Sequence, residues 1–201
     1  MKRLIYGVGV NDADYPISQY GVIEGKRKQV WMCPFYQSWL NMFKRVHSKK
    51  IHNTYDTATI REEWRVFSVY KTWMEKQHWQ GNELDKDVLM IGNKEYGPDT
   101  CVFVPQYLNK FLTDSGATRG KYPQGVYFHK ASGKFLSQCR DKKKGKQVHL
   151  GLFENPHDAH IEWKKYKHKL ALEYAEELQE QGYDSRVIKA LKERFKEREK
   201  K

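Results

Sequence analysis

Cysteine is scarce in this chain, and the three present, Cys33, Cys101 and Cys139, are widely spaced and odd in number. That excludes a disulfide framework and a Cys-x-x-Cys zinc site, leaving buried reduced thiols as the expectation. Long apolar runs are also missing. No stretch approaches the roughly 18 residues needed to cross a bilayer, and the N-terminus lacks the apolar core and small-residue cleavage site of a signal peptide. A soluble, cytoplasmic chain with no membrane partner is expected. Acidic charge is in deficit: 25 Asp and Glu stand against 37 Lys and Arg, a net charge of +12. Such a balance favours a polyanionic partner, nucleic acid ahead of an anionic membrane surface. Nucleotide-binding glycine loops are absent too, because Gly7-x-Gly9 has no third glycine and no Gly-Lys-Ser/Thr segment occurs.

What the chain has in quantity is aromatic side chains, 14% of its 201 residues, enough bulk to build small cores despite the polar average. Its length suits two modules. Residues 3–10 have strand character, and Asn11 to Asp14 read as a turn. After the basic Gly25 to Lys28 patch, Pro34 opens a predicted helix to Val46 with Phe35, Trp39, Met42, Phe43 and Val46 at helical spacing. A second helix is predicted over Ile60–Glu75, capped by Thr59 with Glu62 three residues on. Then follow a strand at 84–89, a turn at 92–98, a strand at 101–105 and a helix at 106–112. Thr113–Lys121, rich in small and polar residues, reads as a linker.

Beyond it, 125–129, 134–140 and 146–153 read as three strands, followed by a helix opened by Pro156 and ended by Gly182. Alternation turns Val126, Phe128, Cys139, Val148 and Leu150 towards that helix and leaves Tyr127, His129, Gln138, Arg140, Gln147 and His149 outward. Asp184 or Ser185 caps a last helix with Val187, Ile188, Leu191 and Phe195 as an apolar stripe, which can pack back on its own domain or, less simply, build a homodimer. Zinc binding by His149, His157 and His160 is a poor candidate without thiolates or matching spacing.

The frame Gly125-Val126, Gly133-Lys134-Phe135, Arg140-Asp141 and His149-Leu150-Gly151-x-Phe153, followed by a helix containing Ala159, resembles the Apetala-type DNA-binding domain. The resemblance covers 122–174. Gln124, Tyr127 and His129 stand where the plant members carry Arg, and His149 where they carry Trp. It implies a three-stranded sheet whose outer face enters the major groove of double-stranded DNA. Arg140 would then suit guanine, and Gln138 and Gln147 adenine. Gln124, Tyr127, His129 and His149 share that face, while Lys130, Lys134, Lys142, Lys143, Lys144 and Lys146 suit phosphates.

In the first half, Pro34, Tyr36, Trp39 and Met42 precede Glu63, Trp64 and Phe67. Leu84 to Asp87, Gly92-Asn93-Lys94, Tyr96 and Cys101 to Pro105 come next, and Asn109 closes the series. This series resembles phage HNH, or His-Me finger, homing endonucleases. The resemblance implies a strand, loop, strand and helix around Mg2+ or another divalent metal held by Asp85 and Asn109. Asn93 or Asp99 would brace the loop, and position 86 would supply the base that activates water. Position 86 is Lys, flanked by the carboxylates Asp85 and Asp87, which would raise rather than lower its pKa. His78 is an alternative base.

The expected architecture is therefore α+β. An HNH-like α/β module occupies 1–112, a linker 113–121, a three-stranded antiparallel sheet on a helix 122–182, and a basic amphipathic helix 183–201. The expected function is that of a phage protein binding double-stranded DNA in the bacterial cytoplasm and nucleoid. It would be either a homing-endonuclease relative that cuts phosphodiesters with a metal, or a non-cleaving relative acting as a regulator or in phage conflict.

Overall fold

A computed structural model describes residues 4–47, 57–113 and 120–196. The fold is mixed α+β, and it divides into two compact units between Val104 and Pro105. That division comes earlier than the expected linker, of which 114–119 lie outside the described residues.

The first unit is built on aromatics. Helix α1 (Pro34–His47) buries Trp39, Met42 and Phe43, as the spacing predicts, together with Tyr36, while Phe35 and Val46 of the expected stripe are half-buried. Trp39 and Phe43 are wholly inaccessible, and the Trp39 indole N–H donates to the Trp64 carbonyl at 2.7 Å. A buried indole N–H needs such a partner, so this bond fixes where the 64–67 segment crosses α1. In front of α1 stands an antiparallel ribbon of β1 (Ser18–Ile23) and β2 (Lys26–Met32), joined at Glu24-Gly25 with positive φ at both residues. Charge dominated the sequence reading of Gly25 to Lys28, so the ribbon was not expected there.

Three expectations for this unit are corrected. Of the strand expected over 3–10, residue 3 lies outside the described residues and residues 4–10 form no strand: Tyr6 and Gly7 turn at positive φ, a lone bridge joins Ile5 to Gly9, and Val10 pairs in parallel with Val66. Gly9 sits so close to α1 that an added Cβ would lie 2.9 Å from the Phe43 ring, so packing against aromatics overrides strand propensity.

The Ile60–Glu75 helix is broken as well. Thr59–Ile60 form β3, parallel to β5 (Glu95–Tyr96), so Thr59 caps nothing. A 3-10 turn follows at Glu62–Arg65, and α2 spans only Phe67–Met74. Pairing of Ile60 with Tyr96 and of Val66 with Val10 claims the backbone groups that a longer helix would have bonded internally. The strand expected at 84–89 runs instead over Asn82–Asp85 (β4), beside β6 (Val102–Pro105), and stops where the Asp85 carboxylate takes the N–H groups of Asp87 and Val88 into a turn.

The second unit opens with α3 (Gln106–Leu112). Its Phe111 packs edge-on to Tyr174 at 4.9 Å, which explains why this helix belongs to the C-terminal unit and not to the expected 1–112 module. The sheet β7 (Val126–His129), β8 (Lys134–Asp141) and β9 (Lys146–Phe153) is antiparallel in that order. It packs on α4 (Pro156–Glu180), which Asn155 caps by accepting the Asp158 N–H at 2.9 Å. Ala159, Trp163, Leu170, Ala171, Tyr174, Ala175 and Leu178 form the buried face of α4.

Gly125 is required where it stands. Its φ is +80°, and a Cβ there would fall 1.9 Å from Trp163 Cδ1. Gly182 ends α4 at positive φ, and α5 (Ser185–Arg194) starts behind Asp184, which accepts the Arg186 N–H. Val187, Ile188 and Leu191 are buried as α5 folds back along α4, so the apolar stripe is covered within the chain and needs no second copy.

Candidate nucleic-acid interface

Register decides which side chains share the open face of the sheet. Val126, Ser137 and Gly151 lie in one row and Phe128, Phe135 and Phe153 in the next, on the α4 side. The opposite face carries Tyr127, His129, Gln138, Arg140, Gln147 and His149, the set expected from alternation. Gln138 faces His149 across the strands and Arg140 faces Gln147, which brings four hydrogen-bonding side chains into two adjacent rows. Arg140, Gln147 and His149 are exposed and Gln138 half-buried.

Two details depart from simple alternation. The β8–β9 register shifts between Ser137 and Gln138, whose partners are Gly151 and His149, leaving Leu150 as an extra residue. The bulge inverts the parity of β9, so Leu152 joins Tyr127 and Leu136 on the open face and Leu150 loses its expected place. Tyr127 and Leu152 are 53% and 41% exposed, an apolar step beside the polar rows. Gly151, at φ +140°, was the sequence signal for this bulge. Phe128 is the second departure: it has the register of the helix side but remains 45% exposed, with Phe135 as its ring neighbour at 5.6 Å.

The basic residues are arranged by one carboxylate. Asp141, the last residue of β8, is 3% exposed. Its Oδ1 accepts the Lys143 N–H at 3.1 Å, the Lys144 N–H at 2.9 Å and the Tyr174 hydroxyl at 2.7 Å. Burial alone would raise its pKa; the amide and phenol donors, with the Lys144 ammonium 3.6 Å from Oδ2, outweigh this and hold it below the ordinary carboxylate value. The turn Lys142–Gly145 is thereby fixed to α4, with Lys142 and Lys144 exposed. Lys143 is tied back to Glu177 and lies over the Tyr107 ring, so it is the lysine of the turn least available to a phosphate.

Lys130 is exposed after β7. Lys134 pairs with Glu154, and Lys146 starts β9 opposite Asp141. His129 Nδ1 lies 2.8 Å from Ser132 Oγ within its own turn. Gln124 precedes the sheet, and its carbonyl lies 2.9 Å from His160 Nδ1. Sequence reasoning missed Asp141 and Tyr174, because nothing in their spacing announces a contact 33 residues apart.

The loop from Asp85 to Asp99 is held mainly from within. Asp85 Oδ1 accepts the N–H groups of Asp87 at 2.6 Å and Val88 at 2.8 Å, and burial pushes its carboxyl pKa up in spite of these donors. Lys86 is buried, and its Nζ donates to Asp87 Oδ2 at 2.8 Å and to the Asn93 carbonyl at 2.6 Å. Asn93 donates to the carbonyls of Lys86 and Glu95 and accepts the Glu95 N–H. Arg61 joins Glu95 at 2.8 Å and Asp99 at 3.0 Å, so Asp99 also braces this region.

Asp85, Lys86 and Asn93 are thus brought together within the first unit; Asn109 is on α3 of the second. His78 accepts from the Asn82 side chain through its carbonyl. Among the described residues no group of three or more His, Cys, Asp or Glu side chains is placed to hold a metal ion. The donors present do not fit a divalent ion well: one Asp85 oxygen is taken by amides, and the adjacent Lys86 ammonium brings positive charge to the same loop.

No helix among the described residues is long and apolar enough to cross a membrane. No family model matches the chain, and no curated protein or solved structure matches it.

Proposed function

We propose that this chain binds double-stranded DNA through the open face of β7–β9, and that the loop around Lys86 is a structural scaffold, not a cleaving centre. The observation that carries the reading is the pair of rows Gln138–His149 and Arg140–Gln147, which share the open face beside a basic turn locked by Asp141. Arg140 offers guanine two parallel donors, the glutamines suit adenine, and Tyr127 with Leu152 adds apolar contact. Lys130, Lys142, Lys144 and Lys146 supply sequence-independent attraction to phosphates. The Apetala-type resemblance supports the same face.

For the first unit, Lys86 is buried with its Nζ donating to Asp87 and to the Asn93 carbonyl, which argues for a side chain that ties its own loop together. A non-cleaving relative of the phage nucleases, acting as a DNA-binding regulator or in phage conflict, accounts for that loop. The order strand, loop, strand, helix over Asn82–Leu112 is the observation that favours the second reading, a metal-dependent endonuclease.

One experiment separates them. Supercoiled phage DNA is incubated with wild type, Asp85→Ala and Arg140→Ala in magnesium or chelator and scored for nicking and gel retardation. Retardation that survives chelator and loses sequence preference in Arg140→Ala, with no nicking, is the expected result. Metal-dependent nicking lost in Asp85→Ala would establish the nuclease instead, and absence of retardation would overturn the DNA reading.

A further inference from the structure

The β1–β2 ribbon of the first unit has no buried residue on either strand. Val22 is 75% exposed, Tyr20 54% and Val30 52%, with Ile23 and Trp31 also in solvent. A two-stranded hairpin does not persist through a core of its own; apart from Met32 at its base, which packs against the aromatic core, the ribbon is a surface device. Its charge is one-sided. Lys26, Arg27 and Lys28 follow the turn, and the single acid of the ribbon, Glu24, is paired with Lys28 at 3.1 Å.

Register places Ile23 and Lys26 opposite each other, then Gly21 and Lys28, then Gln19 and Trp31. One face therefore carries two lysines, an isoleucine and a tryptophan. On the other face Val22 is opposite Arg27 and Tyr20 opposite Gln29, and the Arg27 guanidinium lies 4.9 Å from the Tyr20 ring centre, which stiffens it.

We infer that this ribbon is a second DNA-binding element, a basic arm that enters the major groove. That groove admits a two-stranded β-ribbon, and the side chains match it: entering turn-first, the ribbon sets Lys26, Arg27 and Lys28 against phosphates on the walls, with Val22 and Ile23, one on each face just behind the turn, against base edges and thymine methyls. The inference rests on the proposed DNA-binding function, since it assigns the ribbon to the same polyanion. A second copy of the chain is the competing occupant of the exposed apolar side chains, but three consecutive cations repel their own kind and favour the duplex.

The test compares the full chain with a Lys26→Ala/Arg27→Ala/Lys28→Ala variant and with Arg140→Ala, measuring duplex affinity by fluorescence anisotropy over a salt series and mass by light scattering. All three substituted ribbon residues are exposed, and circular dichroism verifies folding. Loss of up to three phosphate contacts should flatten the slope of log affinity against log salt by about two to three and weaken binding at least about tenfold at low salt. Val22→Ser/Ile23→Ser, which leaves the charge intact, should weaken binding with the slope unchanged. Unaltered affinity and slope in the triple variant, with Arg140→Ala still defective, would overturn the ribbon inference and leave the sheet reading standing. Failure of wild type to bind would remove both. A dimer that Val22→Asp dissociates, with DNA affinity unchanged, would assign the ribbon to a second copy.

Discussion

Replacing Asp141 by alanine should loosen the open face of the β7–β9 sheet from below, without altering any side chain proposed to contact DNA. The carboxylate stabilises two turn amides and one buried phenol, and its loss leaves the Tyr174 hydroxyl, on a residue 3% exposed, without its acceptor. Hydrogen bonds to a charged group contribute about 1.5–3 kcal/mol each in favourable cases, but the turn amides can recover water. The phenol cannot, so the net cost is about 3 kcal/mol.

For a unit of this size that lowers the melting temperature by on the order of 10–20 °C, read by thermal denaturation followed by circular dichroism. Asp141→Asn, which keeps an acceptor oxygen at the same place, should cost about 1 kcal/mol. Acid titration gives a second readout. The folded carboxyl is held below the ordinary value of 3.8, so its stabilisation is present above that pH and is lost as pH falls through the lower folded value. Asp141→Asn should flatten stability in that acid window. A melting point for Asp141→Ala within a degree or two of wild type would refute the clamp.

Gly125→Ala should destabilise the second unit by at least several kcal/mol, since the new methyl meets both the Trp163 ring and a positive φ; soluble protein with wild-type melting would contradict this close approach. Lys167, buried on α4, donates to the Phe111 carbonyl at 2.7 Å with its Nζ 3.7 Å from that ring's centre, and burial lowers its pKa from 10.5 to about 8. Because the unfolded chain binds the proton more tightly, stability should rise as pH goes from about 8 to 10.5, and Lys167→Met should abolish that rise in urea-denaturation midpoints. Persistence of the rise in the variant would place its origin elsewhere.

Sequence alone determined the elements whose signals are local. Pro34 and the helical spacing of Trp39, Met42 and Phe43 define α1, Pro156 and Gly182 bracket α4, and the turn glycines separate three alternating strands whose outward set the register reproduces. The net charge of +12 favours a polyanionic partner.

Tertiary structure decided whatever depends on partners distant in sequence. Ile60 and Val66 leave a helical pattern because Tyr96 and Val10 claim their backbone, and α3 joins the C-terminal unit because Phe111 finds Tyr174. One extra residue at Leu150 moves Leu152 to the open face, since strand parity has period two and a single insertion reverses it. The roles of Asp141, Lys86 and Asn93 belong to the same class. Residue type announced that they were polar, but only burial and the donors around them show a carboxylate locking a basic turn and a lysine held in its own loop.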